Sequence, residues 1–170
     1  GYNLLANRYD YSRLRNYITF DIARQAGLKY TPDSVFVDIY LNGNYNGSYQ
    51  LSEKIQVRES RIAITDLEKE NEQVNNPTDL SVFPQFNESG ENGLYSMKGS
   101  ALQNDPSDIS GGYVLELDFR DRYNQEQSGF ITSRNQAVVI QAPAHASRNQ
   151  VSYIGNLYQE LEDAVFSENG

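Results

Sequence analysis

The dipeptide Asn42-Gly43, set between two strand-like runs, constrains this chain more than any other feature. Both residues tolerate the positive φ that a two-residue hairpin turn demands, so residues 35–41 are expected to fold back onto 48–57. Elsewhere the apolar periods are helical. Tyr11, Leu14, Ile18 and Ile22 predict an amphipathic helix over 11–26, with Asp10 or Ser12 as cap and Gly27 as stop. Arg15 lies at the edge of that stripe and Arg13 points away from it. A second helix over about 147–167 follows from Val151, Ile154, Leu157 or Tyr158, Leu161 and Val165. Further short strands are expected at 62–64, 112–119, 130–132 and 138–140. The order helix, hairpin, strands, helix predicts an α+β fold with a mainly antiparallel sheet and a helix at each end.

A length of 170 residues suits a single domain, or a fragment of a larger one. The net charge of −9 argues against nucleic acid, whose phosphates call for clustered Lys and Arg. Nine acids and only two bases fall within residues 65–110, so −7 of the charge sits there and the remainder is near neutral. That stretch is also rich in Asn, Ser, Gly and Pro, which predicts an acidic, polar surface insertion, partly mobile. The absence of cysteine excludes disulfides and thiolate chemistry. No run approaches the ~18 apolar residues of a membrane helix, so no membrane span is expected. The chain begins and ends abruptly, as a piece of a longer protein would.

Several residues invite a chemical reading. In the second hairpin strand Tyr49, Leu51, Glu53, Ile55 and Val57 share one face, which makes Glu53 the single acid in an apolar row. A carboxylate buried there needs a cationic or donor partner, and Arg15 is the candidate; alternatively the strand twists and Glu53 reaches solvent at the sheet end. Glu116 and Asp118 share a face with Val114, where they suit a hard cation or an acid/base pair, or simply form the solvated side of a half-buried strand. His145, the only histidine, has no Cys or His partner and reads as an ordinary loop residue. Of the thirteen tyrosines several, Tyr11, Tyr49, Tyr113 and Tyr158, fall at core-facing positions and read as packing residues, whereas Tyr40 and Tyr45 beside the hairpin are candidates for exposed contacts. There is no GxxxxGK[ST], GxGxxG, GxSxG or HExxH, and no HRD-like or DFG-like triplet.

Three stretches together, YNLLANRYDYSRLRNYITFDIARQAGLKYTP (2–32), VFVDIYLNGNYNGSYQLSEKI (35–55) and GGYVLELDF (111–119), resemble the spore-coat protein H (CotH) kinase-like family. The resemblance implies part of a divergent protein-kinase-like fold that uses ATP and magnesium to phosphorylate secreted or coat proteins. It places the protein outside the cell, at the cell surface or in the spore coat. Carried onto this sequence, it implies catalytic roles for Glu53 and Arg15 and nucleotide contacts at Asn42, Gly43, Gly47 and Tyr49. It also matches Glu116 with an acid of the family, which makes Glu116 and Asp118 the candidates for metal. The family's Trp-Asp-like metal-binding stretch has no counterpart, since the chain contains no Trp; the resemblance also implies sequence before Tyr2. The piece is therefore expected to be inactive alone, with no tightly bound cofactor. The alternative is a non-catalytic extracellular or spore-coat interaction module, associated with a surface protein or glycan.

Overall fold

In the computed structural model, which describes residues 1–76 and 79–167, Asn42 and Gly43 take φ values of 50° and 82° and turn the chain as their chemistry requires. They join β2 (Ser34–Leu41) to β3 (Asn44–Glu53), and β1 (Tyr2–Leu5) adds to the other edge of β3. The result is a three-stranded antiparallel sheet in the order β1-β3-β2, with a register shift between Ile39 and Tyr40 opposite the hairpin's start. Helix α1 (Arg15–Gln25) accompanies this sheet, and its Tyr17 ring meets Phe36 of β2 at a centroid separation of 5.7 Å. The chain divides into two units, Gly1–Ala63 and Ile64–Gly170.

The first unit inverts the expected pattern. In β3 the polar residues Gln50 and Ser52 are buried, while Tyr49, Leu51 and Glu53 of the apolar row are only half-buried. The cause is hydrogen bonding: Gln50 Nε2 donates to Ser34 Oγ at 2.8 Å, and Gln50 Oε1 accepts from Asn7 Nδ2 at 3.1 Å. Helix α1 starts four residues later than its period suggests, and its Tyr11–Leu14–Ile18–Ile22 stripe remains exposed, because Tyr17 rather than that stripe meets the sheet. Residues 62–64 form no strand; Ile62 makes an isolated parallel bridge with Val57.

The second unit is built on a five-stranded antiparallel sheet, in the order β4-β5-β7-β8-β6. Its strands are β4 (Gln85–Ser89), β5 (Ser96–Ser100), β6 (Val114–Asp118), β7 (Gly129–Ile131) and β8 (Ala137–Ala142). Helices α2 (Leu67–Val74), α3 (Arg120–Tyr123) and α4 (Arg148–Val165) complete it. Helix α4 packs on β5 and β7 over a core of Phe86, Met97, Phe130, Val138, Ile140 and Val151. On the other face Tyr123, Ile131, Ala137 and Val139 form a smaller cluster. Gly155 lets α4 approach closely, since a Cβ there would come within 2.7 Å of Leu94 and 3.3 Å of the Phe130 ring.

Two expectations are corrected here. Residues 65–110 are not merely a surface insertion: they supply α2, β4 and β5, and bury Leu67, Leu80, Phe86, Leu94 and Met97. The composition misleads because each short element contributes one or two large apolar anchors instead of a periodic run. In α4 the stripe is also shifted. Val151, Ile154 and Tyr158 reach the core, Leu157, Leu161 and Val165 stay exposed, and polar Gln150 and Gln159 are buried.

Gln150 earns its buried place through a network. Its side chain exchanges hydrogen bonds with Asn71 of α2, at 2.7 and 3.0 Å, and closes a capping box with Ser147 at the start of α4. Replacing Gln150 by Ala leaves Asn71 Oδ1 without its donor, although Asn71 Nδ2 keeps its bond to His145 O, and opens the cap. We expect a loss of about 2–4 kcal/mol in urea unfolding at neutral pH, whereas the exposed Glu160→Ala on the same helix stays within about 0.5 kcal/mol.

Candidate functional site

The hairpin organises the candidate residues of the first unit. Its Asn42-Gly43 turn stands at the tip, and Gly47 lies within β3 with φ 111°, a backbone state that residues with a Cβ rarely adopt. Around it Tyr40 and Tyr45 pack ring to ring at 5.4 Å, and the Tyr45 hydroxyl donates to Asp38 at 3.4 Å. Desolvation first, and the Asp38 charge second, raise the Tyr45 pKa above its ordinary value. Both rings are largely exposed.

Two hollows flank this hairpin within the unit. One, of about 330 Å³, lies between the 6–13 loop and the root of β3 and is lined by Arg8, Tyr11, Arg13, Asn46, Gly47 and Tyr49. The other, of about 90 Å³, sits at the end of β3, where Glu53 meets Lys29, Lys54 and Arg61. The structure thus brings Gly47 and Tyr49 together on one hollow and puts Glu53 on another; Asn42 and Gly43 line neither.

Glu53 does take a cationic partner, but it is Arg61 and not Arg15. The Glu53 and Arg61 side chains form an ion pair with only about a quarter of each exposed, and Glu53 Oε2 also accepts from Asp33 N at 3.2 Å. The Arg61 guanidinium lies over the Tyr2 ring at 5.3 Å. Arg15 is held elsewhere: it approaches Asp10 at 3.6 Å with its side chain 79% exposed. Asp10 accepts the Arg15 and Ser12 backbone N–H groups, and these bonds hold its carboxyl below the usual carboxylate range. Sequence spacing favoured Arg15 because it sits on the first helix; Arg61 arrives through a turn after β3 that carries no periodic signal.

In the second unit, Glu116 accepts from Gln141 Nε2 at 2.7 Å. Asp118 accepts from Phe119 N at 2.8 Å and faces Arg122 at 4.0 Å. Two carboxylates on one strand are of the kind magnesium uses beside phosphate oxygens and water. Among the described residues no three His, Cys, Asp or Glu side chains gather as a metal site. His145 is not an ordinary loop histidine: its Nδ1 lies 2.6 Å from Glu68, whose other oxygen accepts from His145 N at 2.9 Å.

Sequence reasoning missed Lys98. On β5 it is buried, and its ammonium donates to the Tyr123 and Glu126 carbonyls over the Tyr123 ring, with no carboxylate in salt-bridge contact among the described residues. Desolvation lowers its pKa, opposed in part by the charge of Glu126. Its one sequence signal is a lysine within the apolar-flanked run LYSMKGS, which composition alone reads as surface.

Among the described residues these elements define an α+β arrangement of two antiparallel sheets and four helices, with no closed barrel. Over residues 2–169 the chain matches the family described as CotH kinase protein, and it belongs to that family. No curated protein and no solved structure matches it. Among the described residues no helix is long and apolar enough to cross a membrane.

The buried Lys98 makes stability depend on pH. Its folded pKa lies below the unfolded value of about 10.4, so in that window the unfolded chain binds more protons and stability rises with pH. Chemical denaturation between about pH 8 and 10 should show the native protein gaining stability relative to Lys98→Met. A constant difference across that range would remove the desolvated-lysine account.

Proposed function

We propose that this chain is the nucleotide-handling part of a CotH-type phosphotransferase that moves the γ-phosphoryl group of ATP to a hydroxyl side chain of a secreted or spore-coat protein. The observation that carries the reading is the Glu53–Arg61 pair at the end of the hairpin strand, in a family described as kinase. Phosphoryl transfer rests on positioning and on stabilising charge spread over phosphate oxygens. A guanidinium fixed by a carboxylate suits that task, because its orientation is set before the ligand arrives. Glu53 is itself fixed by Asp33 N, so the Arg61 fork is anchored to the end of the central strand β3. Lys29 and Lys54 add positive charge around the same hollow.

In the reaction, the bond from the γ-phosphorus to the leaving ADP oxygen breaks and a bond to the acceptor oxygen forms, while the acceptor's proton is released. Magnesium would supply charge neutralisation to the phosphates, and Glu116 and Asp118 on β6 of the second unit are the carboxylates that the family resemblance offers for it. Arg15, tied to Asp10, orients the start of α1 and acts on position more than on phosphate.

A second reading is supported by the exposed Tyr40–Tyr45 pair, which suits a non-catalytic extracellular module that binds a surface protein or glycan. The two differ in what Glu53 does. In the protein that carries this chain, Glu53→Gln should lower phosphate transfer from radiolabelled ATP by at least about tenfold, as expected for an ion pair worth about 1.4 kcal/mol or more. Tyr40→Ala with Tyr45→Ala should leave transfer intact. Full activity in Glu53→Gln, with surface binding lost in the tyrosine variant, would favour the interaction module instead.

A further inference from the structure

We propose that the hollow between the 6–13 loop and the root of β3 is a phosphate-binding site in which Arg8 and Arg13 grip the anion. The inference concerns residues to which neither the family match nor the reading above gives a role. Arg15, Arg24 and Arg61 of the same unit are each neutralised by a carboxylate. Among the described residues, Arg8 and Arg13 form no salt bridge, yet both line one cavity of about 330 Å³. Arg13 makes a single long contact, from Nη1 to Ser48 O at 3.4 Å, so most of its donors remain available. Guanidinium groups recognise phosphate oxygens through paired donors, and two of them facing one hollow repel each other until an anion enters.

The surrounding backbone is built to keep them there. Asn7 and Arg13 both have left-handed backbones, with φ of 49° and 58°, and Asn7 Nδ2 donates to Arg13 O at 3.3 Å as well as to buried Gln50. For arginine, which lacks asparagine's tolerance of that region, the conformation costs energy that the neighbouring bonds must offset. Asn16 Nδ2 donates to Asn7 Oδ1 at 2.9 Å, and Asp10 gathers the Ser12 and Arg15 N–H groups, so the loop is held at both ends. Across the hollow Gly47 offers bare backbone: only the Tyr49 ring, at 3.6 Å, would touch a Cβ there. Charge agrees with this. The first unit carries eight basic and six acidic residues, for +2, whereas the remaining 107 residues carry six and seventeen, for −11. An anion is therefore drawn to the first unit of an otherwise strongly acidic chain.

The recognised group is a phosphate at the end of a polyphosphate chain. Its carrier is either a nucleoside triphosphate, which rests on the reading above, or a free polyphosphate, which does not. Isothermal titration of the full chain with sodium tripolyphosphate and, separately, with ATP separates the two. Tripolyphosphate should bind the native protein, and Arg8→Gln with Arg13→Gln should weaken it about a hundredfold, roughly tenfold per charge-assisted contact. Arg58→Gln, which removes a charge outside the hollow, should bind as the native protein does. Arg8→Gln alone touches no hydrogen bond among the described residues and carries the test if the double variant unfolds. Glu53→Gln should keep its tripolyphosphate affinity even where it loses transfer, so failure of the catalytic reading leaves this one standing. Tripolyphosphate binding without ATP binding would assign a free polyphosphate. No tripolyphosphate binding, or equal binding by Arg8→Gln, would overturn the site.

Discussion

The first unit is organised round a buried amide. Gln50, at the middle of the middle strand, reaches Ser34 on β2 with its nitrogen and Asn7 in the loop after β1 with its oxygen. No large apolar side chain of residues 1–63 is fully buried, so this polar centre does what a hydrophobic core does elsewhere. Hydrogen bonds are directional where apolar contacts are not, and a fully satisfied buried amide specifies one register. Through Asn7 the same centre sets the backbone of the 6–13 loop and hence the position of Arg13. Geometry at the hairpin root is thereby coupled to the sheet's interior.

The second unit solves its folding problem differently. Strands β7 and β8 are buried on both faces, which gives Phe130, Val138 and Ile140 to α4 and Ile131, Ala137 and Val139 to the side of α3. Such packing is dominated by area removed from water. Its polar insertions, Gln150 with Asn71 and Lys98 with two carbonyls, are each hydrogen-bonded, as burial demands. The acidic excess of the chain lies wholly in this unit, on a surface whose charge keeps it hydrated.

How much of this was legible follows from what each signal depends on. The β2–β3 hairpin was readable because positive φ is a property of Asn and Gly themselves, independent of neighbours. Helix α4 was readable as a helix, since the helical period of its apolar residues is a local fact. Its orientation was not: which side meets the sheet depends on Gly155 allowing close approach to Leu94 and Phe130. The same holds for α1, whose apolar stripe is exposed because Tyr17 found Phe36. For the candidate site, Glu53 stood out as an acid in an apolar row, while its partner Arg61 and the hollow-lining Arg8 and Arg13 did not. Residues in irregular segments have no period, and long-range proximity leaves no mark on a single sequence.

The amino-acid sequence by itself determined the turn, the two principal helices, the α+β order and the residue types that mark a CotH-like chain. These rest on intrinsic φ preferences and short-range periodicity, which act within a few residues. Tertiary structure alone decided which cation Glu53 takes, which faces are buried, how the acidic 65–110 stretch became part of a sheet, and that Arg8 and Arg13 share one hollow. Those outcomes are set by competition among distant groups for the same hydrogen bonds and the same buried volume, and that competition is resolved only when the chain folds.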